Sequence, residues 1–119
     1  MGLIGISEFA RINKKFFKDV AYSITIDRKS GDNLLNSQCG VRSASNKFTS
    51  AVAQCGIMAG IPVKIMDGSI SDVVVIRDLV PESVNISAGY YNPHTGTEYV
   101  VIKEVGRIIK WVNNIITEI

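Results

Sequence analysis

Between Ala21 and Asp27 the sequence reads AYSITID, where apolar Tyr22, Ile24 and Ile26 alternate with polar Ser23 and Thr25. A period of two marks a strand with one buried face. The segments around it have a different period. Phe9, Ile12, Phe16 and Val20 recur at spacings of three and four, with Arg11, Lys14, Lys15 and Lys18 between them, which predicts an amphipathic helix near residues 6–18. After the strand, RKSGDNLLNSQCGVR (residues 28–42) is rich in Gly, Ser and Asn and reads mostly as loop, with one short strand at NLLN. Ser43 or Ser45 can cap a helix that carries Phe48, Val52 and Cys55 on one face and stops near Gly56 or Gly60. IPVKIM is then a strand. SDVVVIRDL reads equally well as a helix capped by Ser71 or, from its β-branched run, as a strand, and ESVNISAG is a further strand. Val101, Val105, Ile108, Val112, Ile115 and Ile119 mark a long terminal helix. Strands alternating with helices place the chain in the α/β class, as a single-domain sandwich of helices on a largely parallel or mixed sheet.

Apolar residues make up 46% of the chain and charged residues 20%, a globular balance, and 119 residues suffice for one core. No repeat, linker or low-complexity stretch divides residues 1–119, so one domain is expected. The net charge of +2 is spread evenly, and only Lys14, Lys15 and Lys18 cluster, most simply as a solvated helix face. A nucleic-acid polymer is therefore not an expected partner. The longest apolar run, Val73 to Ile76, falls far short of the ~20 residues a membrane span needs. No charged stretch leading into an apolar one marks a secretory leader, so Cys39 and Cys55 are expected as free thiols in a cytoplasmic protein.

Three segments carry a resemblance. NISAGYYNPHTGTEYV resembles the last metal-ligand segment of the co-catalytic di-zinc aminopeptidases, where a strand ends in glycine, a tyrosine-bearing loop comes next, and a histidine binds one zinc. TIDRK resembles the segment in which a strand delivers an aspartate to the other zinc, and GSISDVVVI resembles the intervening helix start. Their order and spacing agree with that family, and the opening GLIGISEF resembles the stretch just C-terminal to its Glu-Glu pair. The resemblance implies the C-terminal half of a zinc aminopeptidase catalytic domain, truncated just after the Glu-Glu motif. It also implies that catalysis is lost. Asp27 and His94 would be residual ligand positions, one for each metal, whereas a zinc site needs three or four protein ligands. The glutamate that would activate water has no counterpart here. Neither a bound metal, nor another cofactor, nor a catalytic residue is expected.

The same segments hold the candidate binding residues, each with a plainer alternative. His94, the one histidine, is either a hydrogen-bonded turn residue or part of a pocket wall. Asp27 either pairs with Arg28 and caps a turn, or stands in a pocket, since ligands of open α/β sheets lie beyond strand C-termini. Tyr90 and Tyr91 are core-edge aromatics or a stacking surface, and Asn92 is next to them in the same loop. Asp72 serves the helix start or a ligand. Arg28, with Lys29 and Arg42, is solvated loop charge or a cationic rim able to grip an anion. No phosphate-binding glycine loop is present. The expected ligand-binding set is Asp27, Arg28, Asp72, Tyr90, Tyr91, Asn92 and His94.

On the terminal helix Ile102, Ile109 and Ile116 add a second apolar row, and Trp111 broadens the stripe, a pattern that suggests burial on more than one side. With a sheet edge to cover, a homo-oligomer is expected. The function expected is a non-catalytic small-ligand-binding domain derived from a di-zinc aminopeptidase. It would suit a phage or mobile-element protein that sequesters a host signalling molecule such as a nucleotide. The alternative is the C-terminal half of a split aminopeptidase completed by a separately encoded partner. A structural subunit without ligand is the third reading.

Overall fold

In chain order the computed structural model, which describes residues 2–119, runs α1 (Gly2–Ile12), a 3-10 turn (Lys14–Phe17), β1 (Tyr22–Arg28), β2 (Asn33–Gln38) and β3 (Val41–Arg42). It continues with α2 (Asn46–Met58), β4 (Lys64–Gly68), α3 (Val73–Ile76), β5 (Glu82–Ser87), β6 (Tyr90–Tyr91), β7 (Tyr99–Val100) and α4 (Ile102–Glu118). β1 and β5 pair in parallel, as do β2 and β4, while β2 runs antiparallel to both β5 and β3. The chain is thus α/β with a mixed sheet, the second of the two sheet types expected. β6 and β7 form a separate antiparallel hairpin. Among the described residues, no helix is long and apolar enough to cross a membrane.

The strand expected at NLLN is present as β2, and it runs two residues further. Residues 28–42 read as loop with a strand at NLLN, yet β2 is longer, buried along its whole length, and sits between β5 and β4. Ser37 and Gln38 read as loop, and the buried polar side chains from Asn36 onward each find a partner. Asn36 Nδ2 donates to Thr49 Oγ1 (3.3 Å), Ser37 Oγ to Asp67 Oδ1 (2.6 Å) and Gln38 Nε2 to Ser43 Oγ (3.1 Å). Burial without such partners would cost each group about 1–3 kcal/mol. The turn into β3 is Cys39-Gly40, with φ of 52° and 79°, the left-handed pair of a two-residue hairpin.

Leu34 and Leu35 point to opposite faces of the sheet, as successive strand residues must. On the first face Leu34 meets Val84, Ile86, Phe48 and Val52 together with Ile108, Trp111 and Ile115 of α4. Trp111 is fully buried and donates Nε1–H to Val52 O at 2.8 Å. α2 starts on Ser45, whose Oγ accepts from Phe48 N (3.1 Å), rather than on Ser43. It passes through Gly56 and ends where Gly60 adopts φ 83°, with Ile61 N–H on Gly56 O (3.0 Å) and Gly60 N–H on Ile57 O (2.9 Å). Gly56 is not a stop but a contact: a Cβ there would lie 2.5 Å from Val63 Cγ2 and 2.8 Å from Trp111 Cε2.

The helix expected over 6–18 breaks at Asn13, which leaves helical geometry (φ −114°, ψ 42°) and turns both its N–H and its side-chain amide onto Phe9 O. The break brings Phe9, Phe16 and Phe17 edge to face, with ring centroids 5.2–5.9 Å apart. Phe17, Ala10 and Val80 form a second small core that Val75, Ile76 and Leu79 pack against. Lys15 and Lys18 are exposed as expected; the Lys14 side chain lies outside the described residues. SDVVVIRDL is helical only at α3, a single turn, and strand IPVKIM starts later than expected, at Lys64.

Candidate functional site

The parallel ladder of β1 and β5 is regular from Tyr22↔Glu82 to Ile26↔Ile86 and then slips, so that Arg28 faces Ser87 and Asp27 has no ladder partner. Such a bulge turns a side chain out of the pleat and is common beside binding sites. Side chains take over what the ladder gives up. Asp27 N–H donates to Asn85 Oδ1 (3.3 Å), Asn85 Nδ2 donates to Asp27 Oδ1 (2.7 Å), and Tyr90 Oη–H donates to Asp27 O (2.7 Å). The Asp27 carboxylate is therefore held through one oxygen, Oδ1. Partial burial, then the nearby Asp27 and Glu98 carboxylates, raise the pKa of Tyr90 and keep it a neutral donor.

Around this bulge lies a cavity of about 350 Å³, within the usual range for small-molecule sites. Asp27, Arg28 and Lys29 come from the end of β1, Asn85 from β5, and Ser69, Ile70 and Ser71 from the segment after β4. Tyr90, Pro93 and His94 come from the hairpin, and Leu35 supplies apolar wall. Gly68 lets the chain pass over Leu35, for a Cβ there would lie 2.7 Å from Leu35 Cδ1. Arg28 is fixed by its neck: the hydrogen-bond network orients the Asn33 amide to donate to Asp32 Oδ1 (2.8 Å) and Ser30 Oγ (3.2 Å) and to accept from Arg28 Nε (3.0 Å).

His94 sits in the β6–β7 connection with φ 61°, and Asn92 with φ 54°. Two non-glycine residues in left-handed geometry within three positions is costly backbone, held by Thr95 Oγ1 donating to Asn92 O (2.8 Å) and accepting from Thr97 N–H (3.3 Å). Of the seven expected binding residues, Asp27, Arg28, Tyr90 and His94 meet in this cavity. Tyr91 and Asn92 instead line a shallower neighbouring cavity of about 620 Å³ with Lys29, Ser30 and Pro93. Tyr91 stacks on Tyr99 (centroids 5.2 Å, 15°) and donates its hydroxyl to Glu104 Oε1, which pushes its pKa up to about 12. Asp72 lines neither cavity; it precedes α3 without a side-chain cap bond, and Ser71 Oγ accepts from Val73 N–H (3.3 Å) instead. Asn85 and Ser69 were not anticipated: the only sequence signs of them are a polar residue within a buried strand and a serine two before Ser71.

Asp27 and His94 share a wall, but among the described residues no three His, Cys, Asp or Glu side chains gather as a metal ion would require. The donor set does not fit a zinc pair. What the cavity offers is one carboxylate, two cations, hydroxyls, an amide, an imidazole and a phenol ring. Cys39 is exposed and Cys55 buried, both free. No family model, curated protein or solved structure matches the chain.

Proposed function

We propose that the chain is a non-catalytic domain that holds a small polar ligand in the cavity around Asp27, as an aminopeptidase-like scaffold without the metal centre. One observation carries the reading: the β-bulge that takes Asp27 out of its ladder and fixes it with Asn85 and Tyr90 at the cavity wall. A sheet gives up ladder bonds at little benefit to stability, so the arrangement has a use in aiming the carboxylate. The resemblance to di-zinc aminopeptidases adds support, because every lining residue except Leu35 comes from the segments TIDRK, GSIS and NISAGYYNPH. Asp27 accepts from a ligand hydroxyl or amine, and Arg28 and Lys29 face an anionic group. A nucleotide has both features, which suits sequestration of a signalling molecule. The domain works as a homo-oligomer in this reading. Native mass spectrometry of protein purified without dialysis tests it. A non-covalent adduct of a few hundred daltons, lost in Arg28→Ala, is expected; a bare mass, with no nucleotide retained when added, rules it out.

A further inference from the structure

The second cavity gives the ligand a shape. It meets the first at Lys29 and Pro93, the two residues that line both. Pro93 stands between two residues in left-handed geometry, Asn92 and His94. Apart from Lys29 and Pro93 the two cavities differ. The first offers the Asp27 carboxylate, the Asn85 amide and the Tyr90 ring. The second is lined by the hydroxyl-bearing Ser30, Thr95 and Thr97 and by Tyr91, whose own hydroxyl is engaged by Glu104. Lys29 is exposed, lines both cavities and is next in sequence to Arg28.

We infer that the two cavities take one ligand: two polar, ring-bearing units joined by an anionic bridge, the bridge lying over Pro93 against Lys29, which is the chemistry of a phosphodiester-linked dinucleotide. The inference rests on the reading that the first cavity binds a ligand, and adds the second lobe and the bridging charge. A single nucleotide would fill one cavity and leave the other to water. A ligand with its charge at one end would place it away from the shared lysine.

Calorimetric titration of the full chain with adenosine, adenosine monophosphate, adenylyl-adenosine and guanylyl-guanosine tests this. At least one dinucleotide should bind at least tenfold more tightly than adenosine monophosphate. Lys29→Ala should remove that advantage, as should Thr97→Val, which lies only in the second cavity, while Ser69→Ala weakens mono- and dinucleotide alike. Circular dichroism of each variant confirms folding, and Lys29→Arg should restore the advantage. Equal affinity for mono- and dinucleotide, with Thr97→Val silent, overturns the two-lobe inference and leaves the single-cavity reading standing. No binding of either dinucleotide at millimolar concentration overturns it too. If native mass spectrometry then shows no adduct, the single-cavity reading falls with it.

Discussion

His94 is held at φ 61°, where a side chain larger than hydrogen costs roughly 1–2 kcal/mol. A histidine kept there for the turn and one kept for a ligand therefore differ in what glycine does. His94→Gly relieves the backbone, so the melting temperature should hold or rise by a few degrees, while ligand retention falls about tenfold if the imidazole makes one good hydrogen bond. A marked loss of stability would show instead that the imidazole anchors the hairpin. Tyr91 makes a second residue-scale case. Its hydrogen bond to Glu104 raises its folded pKa to about 12, above the ordinary value near 10. The neutral form is the one favoured, so this contribution to stability is complete below the unfolded value and is lost as pH rises from about 10 to about 12. Ultraviolet titration should show Tyr91 ionising last, and Glu104→Gln should lower its pKa; an unchanged titration in that variant would assign the shift to another cause.

Two elements make sharp forecasts because their geometry is so local. The Cys39-Gly40 turn uses left-handed φ at both positions, and asparagine tolerates the first better than cysteine does. Cys39→Asn should raise stability by about 0.5–1 kcal/mol, a few degrees in the melting temperature. Gly56 lies where α2 touches Val63 and Trp111. Alanine there gains up to ~1 kcal/mol of helix propensity, yet forces its methyl into a filled contact that costs about 1–3 kcal/mol, so a net loss is expected in thermal denaturation. These elements also show what the sequence discloses. α2 and α4 were legible because their apolar periodicity faces a single core, and Ser45 because capping is a local interaction. β2 was legible only at NLLN, since Ser37 and Gln38 break the hydrophobic pattern and their burial rests on side-chain bonds to Asp67 and Ser43 that no local periodicity shows. The same limit applies to the site: Asp27 and His94 stand out as residue types, but the role of Asn85 depends on a register slip between β1 and β5 that no local rule encodes.

For the whole molecule, the surplus apolar surface bears on assembly. Trp111 turns out to serve the main core, but Ile102, Ile109 and Ile116 remain 85%, 58% and 67% exposed at seven-residue intervals along α4. β1 pairs only with β5 and β4 only with β2 among the described residues, so each presents an open strand edge, and Ile65 on β4 is 53% exposed. Covering one isoleucine side chain fully is worth about 1.5–3 kcal/mol, so a symmetric contact that buries the α4 row twice can outweigh part of the entropy of association. Light scattering should then give a mass that is a multiple of 13.0 kDa. Ile109→Lys should shift the protein toward monomer. Because Ile109 makes no core contact, the melting temperature extrapolated to low concentration should stay within a degree or two of the parent. An oligomer that survives Ile109→Lys but not Ile65→Lys would move the interface to the β4 edge, where strand pairing rather than helix packing joins the copies. A monomer at millimolar concentration would refute self-association through either surface.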